Sequence, residues 1–150
     1  MYRTGDARNA QDAHFFTNSD ALRAAVVPVD IRIKRIYEPP QDSDGARVLV
    51  DRLWPRGLRK EAAALTGWHR DAAPSPTLRR WFGHDPARWQ AFRARYRAEL
   101  DANADALEPL RELARAGPLT LLYGARDGVH NHAVVLADYL REHLEADDES

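Results

Sequence analysis

Two short segments gather the side chains able to do chemistry. Asp51, Arg52, Arg56, Arg59 and Lys60 follow directly on the apolar run Val48, Leu49, Val50, and Tyr123, Arg126, Asp127, His130, Asn131 and His132 follow the run LTLL. Position matters here because ligands of open α/β sheets settle outside the carboxyl ends of the strands. In the first segment Arg52 and Arg56, with Arg59 as a further member, form a candidate anion clamp, since a guanidinium fork matches phosphate or carboxylate oxygens two at a time. Asp51 alternates with Arg52, so in a regular strand they point to opposite faces and one of them needs a partner inside the fold. Asp51 is either a catalytic carboxylate or half of an architectural salt bridge to an arginine at the strand end.

In the second segment a carboxylate and an imidazole stand three residues apart. Asp127 and His130, or Asp127 and Asp51, can divide general-base and orienting roles in a hydrolysis. The concrete version is cleavage of a phosphodiester, with a divalent metal as candidate cofactor and arginine stabilising the charge that develops on phosphate oxygens. The spacing matches no zinc motif, and Asn131 has a helix cap as its alternative role. Tyr123 and Asn131 join Arg52 and Arg56 as candidate ligand-binding residues. His132, one step inside the following helix, reads as structural or solvent-facing. His84, beside Trp81 and Phe82, reads as a packed histidine with one satisfied nitrogen.

The competing account is a noncatalytic module for nucleic acid or protein, whose arginine-rich helix from Arg88 to Arg97 would touch backbone phosphates. Several enzyme classes are poor readings. There is no glycine-rich dinucleotide loop, no phosphate loop ending in lysine and serine or threonine, and no glycine–serine–glycine nucleophile elbow. The absence of cysteine removes disulfides, thiolate metal sites and thiol nucleophiles.

These segments need a frame to hold them. The stretch VDIRIKRIY alternates apolar and basic residues, as a half-covered or edge strand does, whereas RVLV and LTLL are continuous and predict strands covered on both faces. LTGWHRDA is a weak third segment, either strand or extended loop. Ser75-Pro76 is an N-cap with proline at the first helical position, and Asp85-Pro86 repeats the device ahead of a longer helix. That helix places Trp89, Phe92, Tyr96 and Leu100 on one stripe, read as core, with Arg88, Arg95 and Arg97 elsewhere. A helical stretch follows from about Pro109 to Ala116. Asn131 is positioned to cap the last helix, in which Leu136, Leu140 and Leu144 share a face. Strands followed by long helices predict an α/β domain with a small, mostly parallel sheet flanked by helices, its strand order left open.

The 150 residues make one such domain, spanning 29–144, after a polar extension over 1–28 that carries a short apolar patch from Leu22 to Val27 and before an acidic tail over 145–150, frayed at its end. A formal net charge of -1 gives no overall field for nucleic acid, so any anion must be read from local placement. All but two of the 22 basic residues are arginines, Lys34 and Lys60 being the exceptions. No apolar run approaches the roughly 18 residues of a spanning helix, and a cytoplasmic protein without membrane contact is expected. The expected partner is a phosphate-bearing small molecule or a nucleic acid.

The strings IKRIYEPP, DGARVLVDRLWPRGL, PTLRRWFGHDP, RWQAFRARYRAEL and LTLLYGARDGVHNHAVVL resemble the YeaO-like family of small bacterial proteins, over about three quarters of the chain and in consistent order. Its signature blocks match at Arg35, Tyr37, Asp51, Arg52, Trp54, Pro55, Arg56 and Gly57, and again at Trp81, Phe82, His84, Asp85, Tyr123, Asp127, His130 and Asn131. The resemblance implies a compact α/β domain. It brings no established activity with it.

Overall fold

The computed structural model describes residues 29–149, with side-chain surroundings through 144. The N-terminal extension and its apolar patch lie outside the described residues. Four strands form one sheet: β1 (Ile31–Arg35), β2 (Ala46–Leu49), β3 (Gly67–Trp68) and β4 (Leu119–Tyr123). Their spatial order is β1-β4-β2-β3, and every pairing is parallel. The helices are α1 (Lys60–Ala63), α2 (Pro76–Phe82), α3 (Trp89–Ala102), α4 (Glu108–Ala116) and α5 (His132–Glu149). The fold class is α/β, as the alternation of strand and helix patterns requires.

Burial follows the residue pattern strand by strand. All five residues of β4 are buried, because it is central and covered on both faces. In and just beyond β2, Val48 and Val50 enter the main core with Leu121 and Tyr123, while Leu49 turns to the opposite face with Ile36, Ala63 and Leu122. β1 is an edge strand in which Ile31 is buried and Arg32 is exposed, paired to Asp30. LTGWHRDA contributes only the two-residue β3, held by pairing of Val48 with Gly67 and Leu49 with Trp68.

The long helices all pack on one face of the sheet, whereas the other face is covered by α1 and the loops around it. Ser75 Oγ accepts from the Leu78 N–H at 3.1 Å, Pro76 opens α2, and Gly83 closes it in the left-handed conformation. Asp85 caps a single 3-10 turn, Pro86–Arg88, that leads into α3. Phe92, Tyr96 and Leu100 form the predicted buried stripe, with Trp89 stacked beside Phe92 at 5.8 Å. The chain breaks after Ala102 into a 3-10 turn, Ala104–Leu107, so α3 and α4 are separate helices. Asn131 Oδ1 accepts from the Val134 N–H at 3.2 Å and caps α5. Helix α5 then continues to Glu149, into the acidic segment that ends the chain.

On the less-covered face a polar knot replaces apolar packing. The Asp44 carboxylate accepts from Lys34 Nζ at 3.0 Å and from Arg47 Nη1 at 2.6 Å, and Arg47 also donates to the Ala63 carbonyl. This ties β1, β2 and the end of α1 to one buried point.

Candidate functional site

Parallel register brings the two sequence segments together. With Val48 opposite Leu121 and Leu49 opposite Leu122, the residues that leave β2 and β4 emerge side by side at the carboxyl edge of the sheet. The Gly124 N–H accordingly donates to Asp51 Oδ2 at 2.9 Å. Glycine at 124 permits this approach, since a Cβ there would stand 3.0 Å from the same oxygen. Above the junction opens a cavity of about 490 Å³, whose lining includes Asp51, Arg52, Arg56, Arg79, His84, Asn131 and His132. That size lies within the usual roughly 300–1,000 Å³ of small-molecule sites, and the place is the one open α/β sheets use.

Among the described residues Asp51 is the only carboxylate on the lining. No arginine among the described residues pairs with it, which corrects the architectural salt bridge: its partners are the Gly124 N–H and the ring of His132, whose Nε2 stands 3.2 Å from Oδ1. Nε2 also lies 3.0 Å from the Val50 carbonyl, which can only accept, so Nε2 carries the hydrogen and directs it there. Asp51 Oδ1 is left as a buried oxygen without a hydrogen-bond partner. His132 is thus a wall of the cavity and a tie between α5 and β2, a role its place inside a helix does not announce.

The cations are arranged differently. Arg52 is half-buried and makes only long hydrogen bonds, 3.3 Å and 3.4 Å, to the carbonyls of Ala73 and Pro74. Arg56 and Arg79 are exposed, and among the described residues neither guanidinium has a hydrogen-bond or ion-pair partner. Sequence does not single out Arg79, because an arginine on a helix surface carries no signal until the helix is placed. His84 is exposed at the cavity with φ 57° and its ring centroid 6.1 Å from Phe82, so the packed, half-satisfied histidine is corrected to a residue at the opening. Arg59 lies outside the lining.

Asp127 and His130 do pair, at 2.9 Å between Oδ2 and Nδ1, yet neither lines the cavity. Asp127 Oδ1 accepts from the N–H groups of Val129 and His130, and the His130 ring stands edge-on to Trp89 at 5.3 Å. The pair is a local turn. Tyr123 is buried, and burial pushes its hydroxyl above the usual phenol range, while Asn131 is satisfied by the Val134 N–H and the Asp127 carbonyl. Asn131 reaches the lining and Tyr123 does not. Among the described residues no three His, Asp or Glu side chains group so as to hold a metal ion, and none of the helices is long and apolar enough to cross a membrane.

Residues 30–150 match a family model described as the inactive DUF488-N3 subclade, and every cavity residue named above falls inside that span. The chain belongs to this family. Within the YeaO-like set, it is 45% identical to the uncharacterized protein YeaO of Escherichia coli K12 over 113 residues, which are 75% of this chain and 98% of that protein. It is 43% identical to the uncharacterized proteins Rv3073c of Mycobacterium tuberculosis and Mb3100c of Mycobacterium bovis over 110 residues, 73% of this chain and 92% of each of them. No solved structure matches the chain.

In this DUF488-N3 member the arginines from Arg88 to Arg97 make contacts within the molecule, Arg93 by a long 3.3 Å bond to Gln90 Oε1. Arg88 and Arg95 lie over the Trp81 ring, at 5.2 Å and 4.1 Å from its centroid, and Arg97 pairs with Glu142 at 2.6 Å. The Asp127 turn yields a pH prediction. The two backbone N–H groups and the His130 ring hold its carboxyl down at about 2, below an ordinary value near 3.8. A depressed carboxyl contributes stability that is present above pH 3.8 and is lost as pH falls through 2. The wild type should therefore lose stability across that window more steeply than Asp127→Asn, which keeps the turn's acceptor but does not titrate. Parallel acid-denaturation curves for the two proteins, followed by circular dichroism, would refute this assignment.

Proposed function

We propose that the protein is a binding protein for a small anion, phosphate- or carboxylate-bearing, seated in the cavity at the carboxyl edge of the sheet. The observation that carries the reading is the imbalance of charge on that lining: three arginines, Arg52, Arg56 and Arg79, face one carboxylate, Asp51, whose Oδ2 already accepts the Gly124 N–H. Guanidinium groups with free donors are suited to planar oxyanions, and a walled cleft raises their attraction above that of an open surface.

Binding without turnover is the preferred version. Phosphodiester hydrolysis through Asp51, Asp127 and His130 needs all three around one reacting atom, and only Asp51 reaches the lining. The family description as an inactive subclade points the same way. The arginine-rich helix gives the nucleic-acid alternative little support, since Arg95 is stacked on Trp81 and Arg97 is paired with Glu142.

The test is thermal unfolding of wild type, Arg56→Ala and Arg79→Ala with inorganic phosphate, pyrophosphate and citrate. Ligand at 100 times its Kd stabilises a folded protein by about 2.7 kcal/mol, so at least one anion should raise the wild-type midpoint by several degrees. The shift should shrink in each variant and fall with added salt. Equal shifts in wild type and both variants would move the anion elsewhere, and no shift with any anion would end the proposal.

A further inference from the structure

Resting on that reading, we infer that the bound anion is aromatic: a flat ring joined through a few atoms to the phosphate or carboxylate, with the ring stacked on Tyr37. Tyr37 lies two residues beyond β1 and belongs to the same cavity lining as the three arginines. It is 41% exposed, one of three large apolar side chains among the described residues that remain in solvent. An exposed tyrosine ordinarily samples several rotamers, whereas this ring is fixed at two points. Its hydroxyl donates to the Arg56 carbonyl at 2.8 Å, and the Arg35 guanidinium sits 4.6 Å from its centroid. Arg35 is itself anchored, donating through Nε to the Ala125 carbonyl at 3.1 Å.

Three consequences follow from that geometry. The ring is ordered before any ligand arrives, so stacking is realised in full on binding. The guanidinium lies against one face of the ring and helps to hold it in place, and the other face remains for a flat ligand ring. The hydroxyl bond fixes the ring against the backbone of Arg56, so ring and cation are positioned as a unit. Leu53, 63% exposed on the same lining, offers a second apolar surface at the opening. A polyol phosphate would leave both surfaces wet. An aromatic anion uses them.

Adenosine 5′-monophosphate, ribose 5-phosphate and inorganic phosphate separate the parts, each measured by calorimetry with wild type, Tyr37→Ala and Tyr37→Phe. Stacking on an aromatic side chain is worth about five- to a hundredfold in affinity. The wild type should bind adenosine 5′-monophosphate at least fivefold more tightly than ribose 5-phosphate. Tyr37→Ala should erase that preference, so that the two organic phosphates bind with equal affinity, and Tyr37→Phe should keep most of it. Equal affinity of the wild type for the two organic phosphates overturns the aromatic inference and leaves anion binding standing. Failure of all three probes to bind defeats both. Unliganded unfolding midpoints of the variants within a few degrees of wild type show that the ring's loss acts on the ligand and not on the fold.

Discussion

Replacing Asp44 by alanine should cost about 3–5 kcal/mol of unfolding free energy, the range seen when one partner of a buried ion pair is removed. Asp44 and Arg47 are each 4% exposed, and the Lys34 side chain is partly buried, 13% exposed. The carboxylate takes the Gln41 N–H at 3.0 Å as well as both cations, and the Thr120 hydroxyl donates to the Asp44 carbonyl at 2.7 Å. Without the carboxylate, Arg47 keeps only the carbonyls of Ala63 and Ala64, and a buried guanidinium is left uncompensated. The Asp44→Asn change should recover little of the loss, since the amide returns hydrogen bonds but no charge. Urea denaturation of wild type, Asp44→Asn and Asp44→Ala measures this, and a loss under about 1 kcal/mol would mean that water reaches the knot. The pH sign is also fixed. Burial opposes the charged form, but the Gln41 N–H, Lys34 and Arg47 outweigh it and hold the carboxyl below its ordinary value. The stability it gives is complete above roughly pH 3.9 and lost as pH falls through the lower folded value, a loss absent from Asp44→Asn.

That knot is invisible in the string EPPQDSDGARVLV, which reads as a polar turn before a strand. What sequence discloses well is local. RVLV and LTLL are legible because a strand covered on both faces must be apolar throughout, and Ser75, Asp85 and Asn131 are legible because a cap is a bond between near neighbours. β3 is two residues long and owes its existence to its partner Val48–Leu49, so no period of its own announces it. Strand order depends on where the helical crossover returns β4, between β1 and β2, and nothing within β4 encodes that choice.

The candidate site divides the same way. Asp51, Arg52, Arg56 and Asn131 are legible as residues just past apolar runs. Asp127 and His130 carry the loudest chemical pattern, yet spacing of three residues is also what a closed turn needs, and the turn uses both. His132 and Arg79 require the third dimension: one reaches from the first turn of α5 to the end of β2, and the other arrives at the cavity only because α2 is packed beside it. Tyr37 is a polar-tipped aromatic after an edge strand, an ordinary surface residue until Arg35 and the Arg56 carbonyl are seen to fix it.

Gly45→Ala should be comparably damaging and should abolish ligand binding as well. Gly45 has φ 65° and ψ -135°, a region open essentially to glycine alone, and a Cβ there would fall 2.2 Å from the Pro118 carbonyl oxygen. That oxygen accepts from the Ala46 N–H at 3.0 Å, a bond at the start of the β2–β4 ladder. Strain at such a position costs about 1–3 kcal/mol and overpacking of a rigid contact about 1–3 more, so a total of roughly 2–6 kcal/mol is expected. Gly57→Ala is the matched control. Gly57 also has positive φ, 76°, but a Cβ there meets nothing within 4 Å, so only about 1–2 kcal/mol of backbone strain applies. The difference between the two variants in urea denaturation isolates the clash with Pro118. If the Gly45→Ala protein relieves that clash by moving β2 along β4, then Asp51 loses its place opposite Gly124 and the cavity loses its floor. Anion-induced stabilisation should then vanish in Gly45→Ala at temperatures where the variant remains folded, and persist in Gly57→Ala. Retained binding in a folded Gly45→Ala protein would show that the junction of Asp51 with Gly124 does not depend on the register set at the other end of the strands.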